Sequence, residues 1–183
     1  MGPLMKNISA CICLLSFCAG LAAAPKSESE NLALQAKVTA TSELNNSYLA
    51  KFACDGEIPK PLSSADEHKA WAAKGSKHPG GVKFTLTWEK TKTIAELVYY
   101  GRTGNHLAEN MMAYEVYVDD SISPIMNGTL DAGHGPQRIT LPKKITTSSI
   151  TLKFLTNYGG PNPGASEIQV YAESPPDEML GRY

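Results

Sequence analysis

Cysteine is scarce where it would matter. Of four cysteines, Cys11, Cys13 and Cys18 lie in the first two dozen residues and only Cys54 lies beyond them. No internal disulfide can form in the remainder, so its fold must rest on a core or a metal. Catalytic signatures are also missing. There is no His-Glu-x-x-His, Gly-x-Ser-x-Gly, phosphate loop or Cys-x-x-Cys, and His68, His78, His106 and His134 show no metal-ligand spacing. A lone Cys54 beside a turn reads as a small packing residue. Asp66 and Glu67, adjacent in extended chain, point apart and cannot flank one glycosidic bond. The chain is therefore expected not to be an enzyme. No basic run is present: 17 Lys plus Arg stand against 18 Asp plus Glu in 183 residues, a balance that argues against nucleic acid or an anionic membrane surface as partner. Helical periodicity is confined to two possible single turns, over 46–52 and 66–73.

The N-terminus has its own layout. Lys6 precedes an apolar run over 8–21, followed by Ala22, Ala23 and Ala24 and then Pro25. That is the pattern of a cleaved secretory signal over 1–24; the alternative, an uncleaved anchor, would need about 20 strongly apolar residues, and this run is shorter. A secreted, periplasmic or cell-envelope location follows, with no membrane insertion after signal removal. Residues 25–30 read as a polar linker, and 174–183, with Pro175-Pro176 just inside it, as a flexible tail. Between them, 31–173 is one domain.

Within that domain the apolar residues come in short alternating runs separated by Gly, Pro, Asn and Asp. Strand candidates fall at 32–39, 82–88, 94–100, 114–118, 125–130, 137–141, 150–155 and 168–171. Over 82–88, Val82, Phe84, Leu86 and Trp88 share one face, and 94–100 is almost continuously apolar, as in a strand buried on both sides. Eight short strands with turn residues between them predict an all-β sandwich.

The order of local motifs resembles the discoidin, or coagulation-factor type C, family. Asn31-Leu32-Ala33 with Val38-Thr39-Ala40-Thr41-Ser42 looks like its entry strand, and Ala53-Cys54-Asp55-Gly56 like its Ala-x-Asp-Gly turn. Ala70-Trp71 is similar to the tryptophan that follows. Phe84-Thr85-Leu86 with Ile94-Ala95-Glu96-Leu97 resembles the central strand pair, and Ser166-Glu167-Ile168-Gln169-Val170-Tyr171 the closing strand. The resemblance implies an eight-stranded jelly-roll β-sandwich of the galactose-binding-domain-like type, nearer the bacterial carbohydrate-binding branch. The stretch between Asp55 and Trp71 is longer than in the simplest members.

Two sites follow from the resemblance. A structural Ca2+ would tie the Asp-Gly turn to the last strand, with side-chain oxygens from Asp55 and Glu167, carbonyls from Phe52, Glu57 and Ser166, and Ser63, Ser64 or Asp66 completing a shell of hard oxygens. A glycan would bind loops at one end of the sandwich. Suitable groups lie at 101–106, 132–135 and 156–162, giving Arg102, His106, His134, Asn157 and Tyr158, with Trp71 as a further aromatic. The expected function is a secreted, non-catalytic carbohydrate-binding module for a galactose-like or uronic sugar. The alternative is a module that docks a cell-surface or secreted protein through apolar loop tips such as Met111-Met112 or 122–125.

Overall fold

The computed structural model describes residues 1–2, 29–63 and 65–181. Nearly all of the expected signal peptide and most of the linker lie outside the described residues, as do Ser64 and the last two residues. The strands are β1 (Lys37–Ala40), β2 (Trp71–Ala72), β3 (Val82–Tyr100), β4 (Ala113–Val118), β5 (Met126–Thr129), β6 (Gln137–Phe154), β7 (Gly164–Ala165) and β8 (Glu167–Tyr171). Every ladder between them is antiparallel.

The two long strands pair with each other, but their register slips between Thr87 and Lys92 and again between Ile94 and Glu96. There both pass from one layer to the other. The first half of β3 pairs with β1 and with the second half of β6, which pairs with β4, and β4 with β5. The second half of β3 lies between β8 and the first half of β6. Counted as segments, five face three, a jelly-roll β-sandwich with the eight strands that the alternation predicts. Ring contacts show the fold-back. Tyr99 lies 5.9 Å from Phe154, and Trp71 lies 5.0 Å from Phe84.

Alternation over 82–88 sends Val82, Phe84, Leu86 and Trp88 inward. They pack with Leu97, Ile150, Leu152, Ile168 and Val170 in one core. The apolar run at 94–100 has a second cause besides the core. The outer side of Val98 and Tyr100 packs with Tyr171 and with Leu180, from the C-terminal segment. That segment was expected to be a flexible tail; its described part is strapped down instead. Arg138 donates to the Pro175 carbonyl at 2.7 Å and pairs with Asp177 and with buried Glu96, and Gly181 N donates to Tyr100 Oη at 3.2 Å.

Three local expectations change. The run at 32–39 opens as a 3-10 turn (Leu32–Gln35) capped by Asn31, and becomes a strand only at Lys37. Asn31 Oδ1 accepts from Ala33 N and from Val170 N, each at 3.1 Å, so one side chain ends the turn and binds it to β8. The helical turn placed at 46–52 is a 3-10 turn at Ala50–Ala53. No helix forms at 66–73, where Trp71 and Ala72 pair with Ala165 and Gly164. A Cβ at Gly164 would lie 1.9 Å from the Trp71 carbonyl oxygen, so that pairing needs glycine.

Candidate functional site

Because β3 folds back, its first residue, Val82, and its last, Tyr100, share one end of the sandwich. The end of β1, both ends of β6 and the start of β8 are paired beside them. The three loops expected to carry a ligand therefore emerge together, alongside 41–70 and 73–81.

Arg102 sits at their centre but is only 2% exposed. Its Nε and Nη2 donate to the two oxygens of Asp66 at 2.9 and 2.6 Å, and Nη1 donates to Glu109 at 2.6 Å and to the Asn162 carbonyl at 3.1 Å. The Tyr48 ring lies 4.9 Å from the guanidinium carbon. Burial disfavours this charge, but hydrogen bonding to Asp66, then the charges of Asp66 and Glu109, outweigh it and hold the Arg102 pKa above its ordinary value. Glu109 also accepts from Asn162 N at 3.0 Å. Arg102 is thus a strut joining three loops, not the ligand contact expected. Asp66 likewise departs from its expected place in a metal shell, because both its oxygens are committed to Arg102 and it is fully buried.

His134 is a second strut. Its Nδ1 lies 2.8 Å from the Gly101 carbonyl and its Nε2 lies 2.9 Å from the Pro59 carbonyl, in a buried position. Trp71, expected as an aromatic platform, belongs to the core, with Nε1 donating to the Ser42 carbonyl at 2.9 Å. His106 stays partly exposed, its Nδ1 3.0 Å from Glu109. Tyr158 is 38% exposed and donates its hydroxyl to the Leu130 carbonyl at 2.7 Å. Asn157 donates to the Ser76 carbonyl at 2.9 Å and accepts from Gly159 N at 2.8 Å. It lines an open groove of about 440 Å³ whose floor includes Val82, Met111 and Phe154 and whose rim includes Lys77 and His78. Met111, offered earlier as an exposed loop tip, is buried there.

At the start of β8 the Asp-Gly turn meets the closing strand. Gly56, at φ +84°, donates its N–H to Glu167 Oε1 at 3.1 Å, and Cys54 Sγ donates to the Ile168 carbonyl at 3.3 Å. Asp55 Oδ1 accepts from Glu57 N at 2.9 Å. Glu167 Oε2 and Ser166 Oγ are buried with no hydrogen-bond partner. Burial, then the nearby charge of Asp55, pushes the Glu167 carboxyl up to about 8, and partial burial lifts Asp55 as well. Burial pushes the Cys54 thiol well up, with Glu167 and Asp55 adding to it, the reverse of what a nucleophile needs. Among the described residues no group of three or more His, Cys, Asp or Glu side chains converges. Ser63 turns its hydroxyl to the Ala65 carbonyl at 2.7 Å.

Residues 31–171 match the model of a family described as a domain of unknown function, DUF7402. The chain belongs to the DUF7402 family. No curated protein matches it. Among solved structures, this DUF7402 chain is similar to a family 32 carbohydrate-binding module, CpGH89CBM32-5 from Clostridium perfringens, in complex with GalNAc-β-1,3-galactose. Identity is 25% over 76% of this chain and 97% of that one, with a TM-score of 0.62. It is also similar to the family 32 module of C. perfringens NanJ in complex with galactose (19% identity, 76% and 95% covered, TM-score 0.60). A third is the lectin domain of lectinolysin complexed with Lewis B antigen (14%, 79% and 98%, 0.61). The last two, at their low identity, bear on the fold alone.

Sequence reasoning missed the groove-rim residues of this DUF7402 domain. Lys77 and His78 lie in 73–81, a segment with no strand pattern. A usable signal was present, since Gly75, Gly80 and Gly81 all take positive φ and mark a tightly turned loop.

Proposed function

We propose that this chain is a non-catalytic carbohydrate-binding module that holds a glycan at the loop end of the sandwich. The observation that carries the reading is the convergence of 73–81 and 155–163 with Met111 around one groove of about 440 Å³, with the Asn157 amide at its lip and apolar side chains below. A sugar presents a C–H face to such a floor and hydroxyls to such a lip. Similarity to the C. perfringens module in complex with GalNAc-β-1,3-galactose supports it. Arg102 and His134 enter as struts, and Tyr158 flanks the groove. A glycan array probed with the full chain should give selective binding, weakened about tenfold or more by Asn157→Ala, the scale of a lost polar anchor. Binding to no glycan would sink the reading.

The same reading includes a structural calcium at the Asp55–Glu167 corner. The partnerless buried Glu167 oxygen, beside a second carboxylate, is a donor set that a hard cation satisfies. Asp55 and Glu167 would supply side-chain oxygens, with Phe52, Glu57 and Ser166 offering carbonyls. The ion would neutralise the two acids and fix the turn on β8. We also read the chain as a discoidin-type domain over 31–173, secreted through the signal at 1–24.

A protein-docking module is the second reading, favoured by Ile122, which is 98% exposed on the 119–125 loop at the far end. Copurification of a partner that is lost in Ile122→Ser, without any sugar, would favour it.

A further inference from the structure

We infer that the loop-end groove prefers an acidic sugar, one bearing a carboxylate, over a neutral hexose; this rests on the glycan-binding reading above. Lys77 is the one formally charged side chain that lines the groove, and no carboxylate does. The whole chain is nearly neutral, at −1, so the local sign of this groove is set by Lys77 and not by a net positive surface. The ion pairs of the described residues engage Arg102, His106, Arg138, Lys144 and Lys153, but not Lys77. Its ammonium is exposed and available to an incoming anion.

The segment that carries these groups is held on both sides. His78 Nε2 lies 2.7 Å from the Gly75 carbonyl, Gly81 N donates to the His78 carbonyl at 2.8 Å, and the Ser76 carbonyl takes the Asn157 amide. A carbonyl only accepts, so Nε2 donates to Gly75 and Nδ1 is the ring nitrogen left to meet a sugar hydroxyl. Val82, Met111 and Phe154 give the groove an apolar floor against which the C–H face of a sugar can lie while its carboxylate meets Lys77. The groove of about 500 Å³ beside Tyr117, on the outer face of the five-stranded layer, differs. It mixes Lys83 and Lys153 with Asp119 and Asp120 and so selects no charge class.

The test is isothermal titration of the full chain with digalacturonate and with galactobiose, at low and at raised salt, alongside Lys77→Met. Lys77 makes no ion pair in the fold, and an unchanged melting temperature will show that the variant is intact. Digalacturonate is expected to bind at least about fivefold tighter than galactobiose at low salt, the scale of one partly shielded ion pair. Raised salt and Lys77→Met should both remove that margin. Equal affinity for the two disaccharides overturns the acidic preference, and a margin that survives Lys77→Met overturns its assignment to this groove, while glycan binding stands in either case. Binding of neither, with no hit on the array, overturns both.

Discussion

Replacing Arg102 with alanine would strand charges that the fold has taken out of water. Asp66 would lose two charge-assisted hydrogen bonds, and Glu109 and the Asn162 carbonyl one each. Breaking a buried pair by removing one partner costs about 3–5 kcal/mol. Glu109 would keep Asn162 N and His106 within 3.0 Å, so most of the cost falls on Asp66 and the lower half of that range is expected. At about 2–4 °C per kcal/mol for a domain of this size, melting should fall by roughly 10 °C. Arg102→Lys should recover only part of this, since one ammonium cannot hold both Asp66 oxygens as well as Glu109. Arg102→Met combined with Asp66→Asn should be more stable than Arg102→Ala alone, because it leaves no stranded charge at position 66. Urea denaturation of the four proteins reads these differences directly. A loss within about 1 kcal/mol of zero for Arg102→Ala would refute the strut, and so would an intact fold that has lost glycan binding outright.

Three shorter predictions concern the rest of the sandwich. With Glu167 raised from 4.5 to about 8, the folded state keeps a proton that the unfolded chain sheds. In EDTA, stability should therefore fall as pH rises between those values, by up to about 5 kcal/mol at 1.36 per pH unit. Calcium should restore it near pH 8 and Glu167→Gln should flatten the dependence, whereas a urea midpoint constant from pH 5 to 8 would contradict both. Leu180→Ala should cost about 2 kcal/mol, the low end for a buried leucine at the rim of a cluster; no change in denaturation midpoint would mean that the tail does not dock. Gly164→Ala should lower stability by about 3 kcal/mol or prevent folding, because its new methyl meets the Trp71 carbonyl oxygen at 1.9 Å, and a wild-type melting curve would refute that contact.

Much of the fold was legible because it is written in period two. Val82, Phe84, Leu86 and Trp88 declare a face, and that face is the core. The β2–β7 pair was not legible, since two residues on each side carry no period and their closeness depends on Gly164. The docked tail was hidden for a similar reason: Leu180 is one apolar residue in a stretch rich in Pro, Asp and Glu, and its partners lie on β3 and β8. At the candidate site, the meeting of Asp55 with Glu167 and the clustering of three loops could be read from motif order. The burial of Arg102 could not. Its partner Asp66 is 36 positions away in an unpatterned segment, and an arginine in a Gly-rich loop looks the same whether it faces water or an aspartate. Asn157 stays at the lip of the groove, half-buried, with its amide bonded locally to Ser76 and Gly159.

A chain with one cysteine beyond its first two dozen residues has to hold long loops still by other means. Here buried polar struts do it. Arg102 spans 66, 109 and 162, His134 spans 59 and 101, and Glu167 holds 56. Each replaces a covalent link with a network that is fully effective only when every member is satisfied. Loop order and global stability are therefore coupled in this domain. Substitutions at the struts should lower melting temperature and glycan affinity together, while substitutions on the groove rim, such as Lys77→Met, should change affinity at constant stability. A plot of affinity against melting temperature across both sets would separate into two lines. A single line would mean that strut and contact are not distinct roles here.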